Sequence, residues 1–223
     1  MLQVFVDLMS QPCRALIIFL TVNKIPHTVR TVALRKGQNR TPEFIKLNPM
    51  QKVPVMEKDG FILTESDAIL KYLTAAYRVP DHWYPQQTQK RARVDEYMAW
   101  HHMNTRLHAS KVFITEVLIP RLSGKPVDDV KLQRALWDLE TTLDKLETMF
   151  LKDTDFLCGD DLTLADLLAV CELMQPLAGG RDVLMNRPRL QEWKSRIQSV
   201  LGDSFDQAHK ILYRVKDKHI SKL

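Results

Sequence analysis

The stretch Asp7-Leu8-Met9-Ser10-Gln11-Pro12-Cys13-Arg14-Ala15-Leu16-Ile17-Ile18-Phe19-Leu20 decides how the chain begins. A short apolar strand over 3–8 gives way there to a long apolar run, with Ser10 and Pro12 at the changeover. Serine is among the best helix N-caps and proline is tolerated in a first helical turn, so the strand runs straight into a helix starting near Pro12. A second strand over 27–32 (HTVRTV) completes a β-α-β unit, whose two strands must run parallel. Thr41-Pro42-Glu43 then supplies an N-cap, a proline at the first helical position and an acid in the first turn, which starts a short helix. Strands over 53–57 and 61–64 flank Lys58-Asp59-Gly60, a turn that favours a tight antiparallel hairpin. Ser66 opens one more helix, running to about Tyr77.

The order β-α-β, α, β-β-α requires a mixed four-stranded sheet with helices on its faces, which is the thioredoxin-like topology. The segment 79–87 (VPDHWYPQQ) carries two prolines and no periodicity, and everything beyond it reads as helical. The expected organisation is an α/β domain over 1–78, a linker over 79–87 and an all-α helical bundle over 88–223. In the bundle, Leu132, Leu136, Leu139, Leu143, Leu146 and Phe150 alternate spacings of four and three, the stripe of an amphipathic helix facing a core. Thr163-Leu164-Ala165-Asp166 reads as a capping box ahead of an apolar helix, with a role in folding and none in chemistry. Further helices fit 188–200 and 204–215.

Composition excludes several classes. The longest unbroken apolar run, 15–20, is far too short to span a bilayer, and no charged segment leads into an apolar one at the N-terminus as in a secretory signal. A cytoplasmic protein is expected. Cys13, Cys158 and Cys171 are odd in number and form no C-x-x-C pair, so neither a disulfide framework nor a zinc site is indicated. His101, His102 and His108 have only Asp95 and Glu96 nearby and read as surface or pocket residues, so no metal is expected. The formal charge of +5, from 32 basic and 27 acidic residues, reads as spread along the chain without a basic block or aromatic interleaving. That argues against nucleic acid and leaves room for a small anionic ligand.

In thioredoxin-like redox proteins the nucleophilic cysteine sits at the N-terminus of the first helix, where backbone N–H groups and the helix dipole hold its thiolate. Here that position is Ser10, in Ser10-Gln11-Pro12-Cys13, so thiol–disulfide exchange through it is ruled out. Cys13 falls on a helix apolar nearly all round, and buried cysteines are usually inert. Ser10 has two readings: a plain N-cap, or a donor that keeps the sulfur of a bound ligand ionised. Its place at the first helix terminus favours the second. Lys52-Val53-Pro54-Val55 precedes the hairpin. A proline at the head of this strand is commonly cis in such folds, and the residue before it offers its backbone to a bound peptide. Thr64-Glu65-Ser66-Asp67 marks a strand-to-helix entry suited to a carboxylate, with Glu65 placed to pair with an ammonium.

These motifs together resemble those of a theta-class cytosolic glutathione S-transferase. DLMSQPCRA, RKGQNRTPEF, KVPV, LTESDAILKYL, PDHWYP and RARVDEYMAWHH occur in the family's order over nearly the whole chain. The resemblance implies a homodimer that conjugates glutathione, as co-substrate, to small hydrophobic electrophiles such as halides and epoxides, and reduces organic hydroperoxides. It implies Ser10 as the thiolate-stabilising hydroxyl and glutathione contacts from Asn39, Lys52, Val53, Pro54, Glu65 and Ser66. It also implies an electrophile pocket with His101, Asn104 and Arg106, and neither a nucleic acid nor a membrane as partner. Asn39 stands where the family leads one to expect histidine, and the chain ends soon after Val215, which suggests an unusually open pocket. A catalytically silent binding module is the competing reading, opposed by the intact Ser10, Lys52, Glu65 and Ser66. The ending Ser221-Lys222-Leu223 matches a peroxisomal address, which adds peroxisomes to the expected locations.

Overall fold

In a computed structural model, which describes residues 1–221, the chain divides into two compact units: Met1–Pro80 with Asp203–His209, and Asp81–Gly202 with the chain from Lys210 onward. In the first, β1 (Gln3–Val6), α1 (Gln11–Val22), β2 (Thr28–Thr31), α2 (Pro42–Leu47), β3 (Val55–Lys58), β4 (Phe61–Thr64) and α3 (Ser66–Ala76) follow one another, with two short 3₁₀ turns between β2 and α2. The sheet order is β2-β1-β3-β4. β1 pairs parallel with β2, and β3 pairs antiparallel with both β1 and β4. This is the mixed sheet that the element order demanded.

Val4, Val6 and Met56 on one sheet face are fully buried, as are Ala15, Leu16 and Phe19 of α1 and Ile69, Leu70 and Leu73 of α3. Burying α1 on almost every side explains why its sequence lacks a polar face. Three strands are shorter than the sequence suggested, β2 by one residue at each end. β1 stops at Val6 because Asp7 is drawn into the turn: its carboxylate accepts from Met9 N–H and Leu34 N–H, and its carbonyl from Ser10 N–H. β3 starts at Val55, since Pro54 has no N–H to give to a ladder.

The second unit is helical. α4 (Thr88–His101), α5 (Leu107–Phe113) and α6 (Ile119–Ser123) run on through π turns at His102–Arg106 and Ile114–Leu118. α7 (Asp129–Lys145), α8 (Leu164–Leu173), α9 (Pro188–Leu201) and α10 (Asp203–Ile220) follow, the first turns of α10 belonging to the other unit. The expected stripe runs along α7 and into the π turn Leu146–Leu151 that follows: Leu132, Leu139, Leu143, Leu146 and Phe150 are buried, and Leu136 is half-buried. Every residue of α8 is buried. Among the described residues no helix is long and apolar enough to cross a membrane. Lys222 and Leu223 of the expected peroxisomal address lie outside the described residues.

Candidate functional site

The turn from β1 to α1 is fixed by a charged residue inside an apolar helix. Arg14 is fully buried, and its guanidinium donates to the carbonyls of Leu8 and Met9, 3.0 and 3.3 Å away. With Asp7 holding the other end of the turn, Ser10 is presented as the N-cap of α1. Its backbone is extended (φ −83°, ψ 126°), as an N-cap requires, yet its side chain makes no capping hydrogen bond. The Cys13 thiol is close by, and Ser10 lowers its pKa in part. Burial pushes that thiol up to about 11, and the hydrogen bonds from Ser10 and Asp7 offset only part of the shift. Cys13, fully buried, stays protonated at neutral pH and has no route to a substrate. The question posed by S-x-x-C therefore turns on the serine.

The glutathione residues suggested by the sequence fall on three segments of the same unit. Asn39, in the 3₁₀ turn Gln38–Arg40, donates its amide to the carbonyl of Gln51 at 2.9 Å. Buried Asn48 donates to the carbonyl of Lys52 at 2.8 Å. These two asparagines pin the loop that carries Lys52, an exposed cation, and Val53, which is buried and lies outside the β3 ladder. The Val53–Pro54 peptide bond is cis.

Across the hairpin, Glu65 precedes α3 with φ 64° and ψ 117° and makes no capping hydrogen bond. A positive φ is costly for a residue with a side chain, and such strain gathers at functional sites. It keeps Glu65 exposed at the strand-to-helix entry, while Ser66 begins the helix buried. Gln51 also has a positive φ, 57°.

The three residues assigned to an electrophile pocket are not brought together within the helical unit. His101 is fully buried and stacks on Tyr97, with ring centroids 5.7 Å apart. Arg106 is engaged by the completely buried carboxylate of Glu172 at 2.9 Å. Asn104 donates to the carbonyl of Trp100 and lines a hollow of about 240 Å³ that also carries Trp100, His108, Trp137 and Lys145. Sequence reasoning missed Asp7, Arg14 and Asn48. Arg14 had a signal, an arginine in an apolar run, whereas Asn48 in Asn48-Pro49 had none beyond a turn.

Comparison with known proteins agrees with this geometry. The family model for the glutathione S-transferase N-terminal domain matches residues 10–76, and that for the C-terminal domain matches 112–199. Glutathione S-transferase theta-1 of Bos taurus is 46% identical over 217 residues, which is 97% of this chain and 90% of that protein. Glutathione S-transferase theta-2B of Homo sapiens is 44% identical over 222 residues, 99% of this chain and 91% of that protein. Among solved structures, human glutathione transferase theta-2 in complex with glutathione and an unknown ligand superposes with a TM-score of 0.95 at 43% identity, covering 100% of this chain and 91% of that one. The chain belongs to the glutathione S-transferase family, in its theta class, and is an enzyme of that kind.

Proposed function

We propose that this enzyme conjugates reduced glutathione to small electrophiles such as halides and epoxides, and reduces organic hydroperoxides, through a thiolate held by the Ser10 hydroxyl. The observation that carries the reading is the state of Ser10. It occupies the N-cap of α1 with its hydroxyl withheld from capping, at the end of the helix that favours an anion.

The magnitudes fit. A cysteine-like thiol of pKa ~8.5 is only about 3% ionised at pH 7, and lowering it by about two units requires roughly 2.7 kcal/mol of differential stabilisation. A hydrogen bond to a charged acceptor contributes ~1.5–3 kcal/mol, and a helix N-terminus another ~0.3–2 kcal/mol. No general base is needed. The thiol proton passes to solvent, the thiolate attacks carbon, and a C–S bond forms as the bond to halide or epoxide oxygen breaks. With a hydroperoxide, two glutathione molecules are oxidised to the disulfide while the peroxide becomes an alcohol and water.

In this reading the tripeptide is held away from its sulfur. The Val53 backbone meets its cysteinyl unit beside Pro54, Lys52 and Asn39 face its glycine carboxylate, and Glu65 and Ser66 take the γ-glutamyl ammonium and carboxylate. On the electrophile side Asn104 faces the hollow, with buried His101 and the Glu172-paired Arg106 as its supports, and the working form is a homodimer. Support for glutathione comes from the relatives, one of them solved with glutathione bound. Peroxisomal delivery is part of the proposal, and imaging an N-terminally tagged protein with and without residues 221–223 tests it.

The direct test is glutathione turnover against an aryl halide, an alkyl halide, an epoxide and an organic hydroperoxide. Turnover with at least one is expected. Absence of turnover with all four, by protein shown to bind glutathione, overturns the proposal.

A further inference from the structure

The positive charge of this protein is gathered in one place, which corrects the reading that it is spread along the chain. Between Lys24 and Lys52 there are seven basic residues and a single acid, Glu43. The remainder of the chain holds 25 basic and 26 acidic residues, so the net charge of +5 arises entirely within these 29 positions. Lys24, Arg30, Arg35, Lys36, Arg40, Lys46 and Lys52 are all exposed, and among the described residues none of them is in an ion pair.

The fold puts most of them on neighbouring segments. Arg35 and Lys36 lie in the first 3₁₀ turn and Arg40 in the second, with Lys46 on α2. The Asn39–Gln51 and Asn48–Lys52 hydrogen bonds draw the Lys52 loop against both. Arg30 extends the surface onto β2, an edge strand with three of its four residues exposed, and donates to Gln3 on β1. The acids facing this stretch do not neutralise it. Asp7 and Glu57 are half-buried and hydrogen-bonded, Asp7 to Met9 and Leu34 N–H and Glu57 to Gln3 and Gly60 N–H.

We propose that this face is a docking surface for an anionic phospholipid membrane, reached by peripheral and reversible electrostatic contact. The proposal goes beyond the glutathione reading and revises the expectation that no membrane is a partner. Charge complementarity identifies the occupant. A polybasic surface is attracted to a leaflet of anionic lipid, each Lys or Arg strengthening the contact about fivefold. The cations sit on long flexible stems spread over two turns, a helix and an edge strand, which suits a fluid planar field of charge.

A nucleic acid fits less well. The sole aromatic ring of a Phe, Tyr or Trp within 24–52 is Phe44, which is buried, so no platform exists for base stacking. α2 has six residues and one lysine, too little to read a groove. A specific protein interface would want a buried aromatic anchor, whereas the exposed apolar residues here are Val29 and Met50. Met50, between Lys46 and Lys52, suits shallow entry into the headgroup layer.

The test is co-sedimentation of the full chain with vesicles of phosphatidylcholine, alone or with roughly 30 mol% phosphatidylserine, at about 0.05 M and 0.5 M salt. Sedimentation is expected with the anionic vesicles at low salt only. The triple variant Arg35→Gln, Lys36→Gln, Arg40→Gln should partition on the order of a hundredfold more weakly and still turn over glutathione. Removing as much charge elsewhere, with Lys125→Gln, Arg134→Gln and Lys152→Gln, should leave sedimentation intact. Failure of the parent chain to sediment overturns the proposal, as does equal weakening by both triple variants. Tighter binding to duplex DNA or polyuridylate than to anionic vesicles at equal salt reassigns the surface to nucleic acid.

Discussion

Two helix N-termini in this chain are built from similar residues and used in opposite ways. At α8 the Thr163 hydroxyl accepts from Ala165 N–H, and the Asp166 carboxylate accepts from Thr163 N–H, the Thr163 hydroxyl, Leu157 N–H and the Trp193 indole. Every group there answers another and all are buried, so the terminus is closed and serves the fold. At α1 the N-cap serine is half-buried and its hydroxyl takes no part in capping. A hydroxyl at a helix start is thus a cap only when the local N–H groups claim it. Left unclaimed, beside the positive end of a helix, it can donate to an anion.

The comparison is broken most severely by removing the carboxylate at the closed end. Asp166→Ala strands the Leu157 N–H and the Trp193 indole in the core, and should cost about 3–5 kcal/mol, a fall in Tm on the order of 10 °C. Turnover per folded molecule should stay within about twofold of the parent. Calorimetry and assay of the same preparation decide this, and a stable Asp166→Ala protein contradicts it.

Next comes the exchange of roles between the two hydroxyls. Ser10→Ala should lower conjugation at pH 7 by about tenfold to several hundredfold, as loss of a ~1.5–3 kcal/mol charged hydrogen bond predicts, with little change in stability. Thr163→Ala should do the reverse, losing about 1 kcal/mol of stability and no turnover per folded molecule. Were Ser10→Ala to destabilise as Thr163→Ala does and keep full activity, Ser10 would be a cap after all.

Smaller effects sharpen the open end. Glu65→Ala and Ser66→Ala should each raise KM for glutathione more than they alter kcat, as removal of uniform binding does. Unchanged KM in both would reduce these residues to helix-entry structure. Cys13→Ala should leave catalysis largely intact and cost some stability through a small cavity. Because burial raises this thiol from 9.0 to about 11, it ionises only as pH climbs through that value, and native Cys13 should resist iodoacetamide at pH 7–8. Rapid alkylation of Cys13 there, or a folded but inactive Cys13→Ala, would move the chemistry from the serine to the cysteine.

Much of this was legible because it is local. Turn residues, caps and the change of period from two to nearly four placed all four strands, their pairing senses and the first three helices. Pro54 shortened β3 by a rule that the sequence carries. The two π turns in 88–123 were not legible, since apolar residues at threes and fours persist through a widened turn. The positive φ of Gln51 and Glu65 has no side-chain signature. The pairing of Arg106 with Glu172 was not legible either, because the two lie 66 residues apart. The gathering of charge over 24–52 was in plain view and was lost in an average over the whole chain.

The central claim is that the Ser10 hydroxyl keeps the bound sulfur ionised, and titrating the glutathione thiol on the enzyme by its thiolate absorbance tests it most directly. In the parent protein the bound thiol should ionise about two units below a free cysteine-like thiol. In Ser10→Ala it should return toward the free value, with glutathione affinity nearly unchanged because the tripeptide is gripped elsewhere. An equally depressed thiol pKa in both proteins would contradict the claim and leave the helix terminus as the stabilising group.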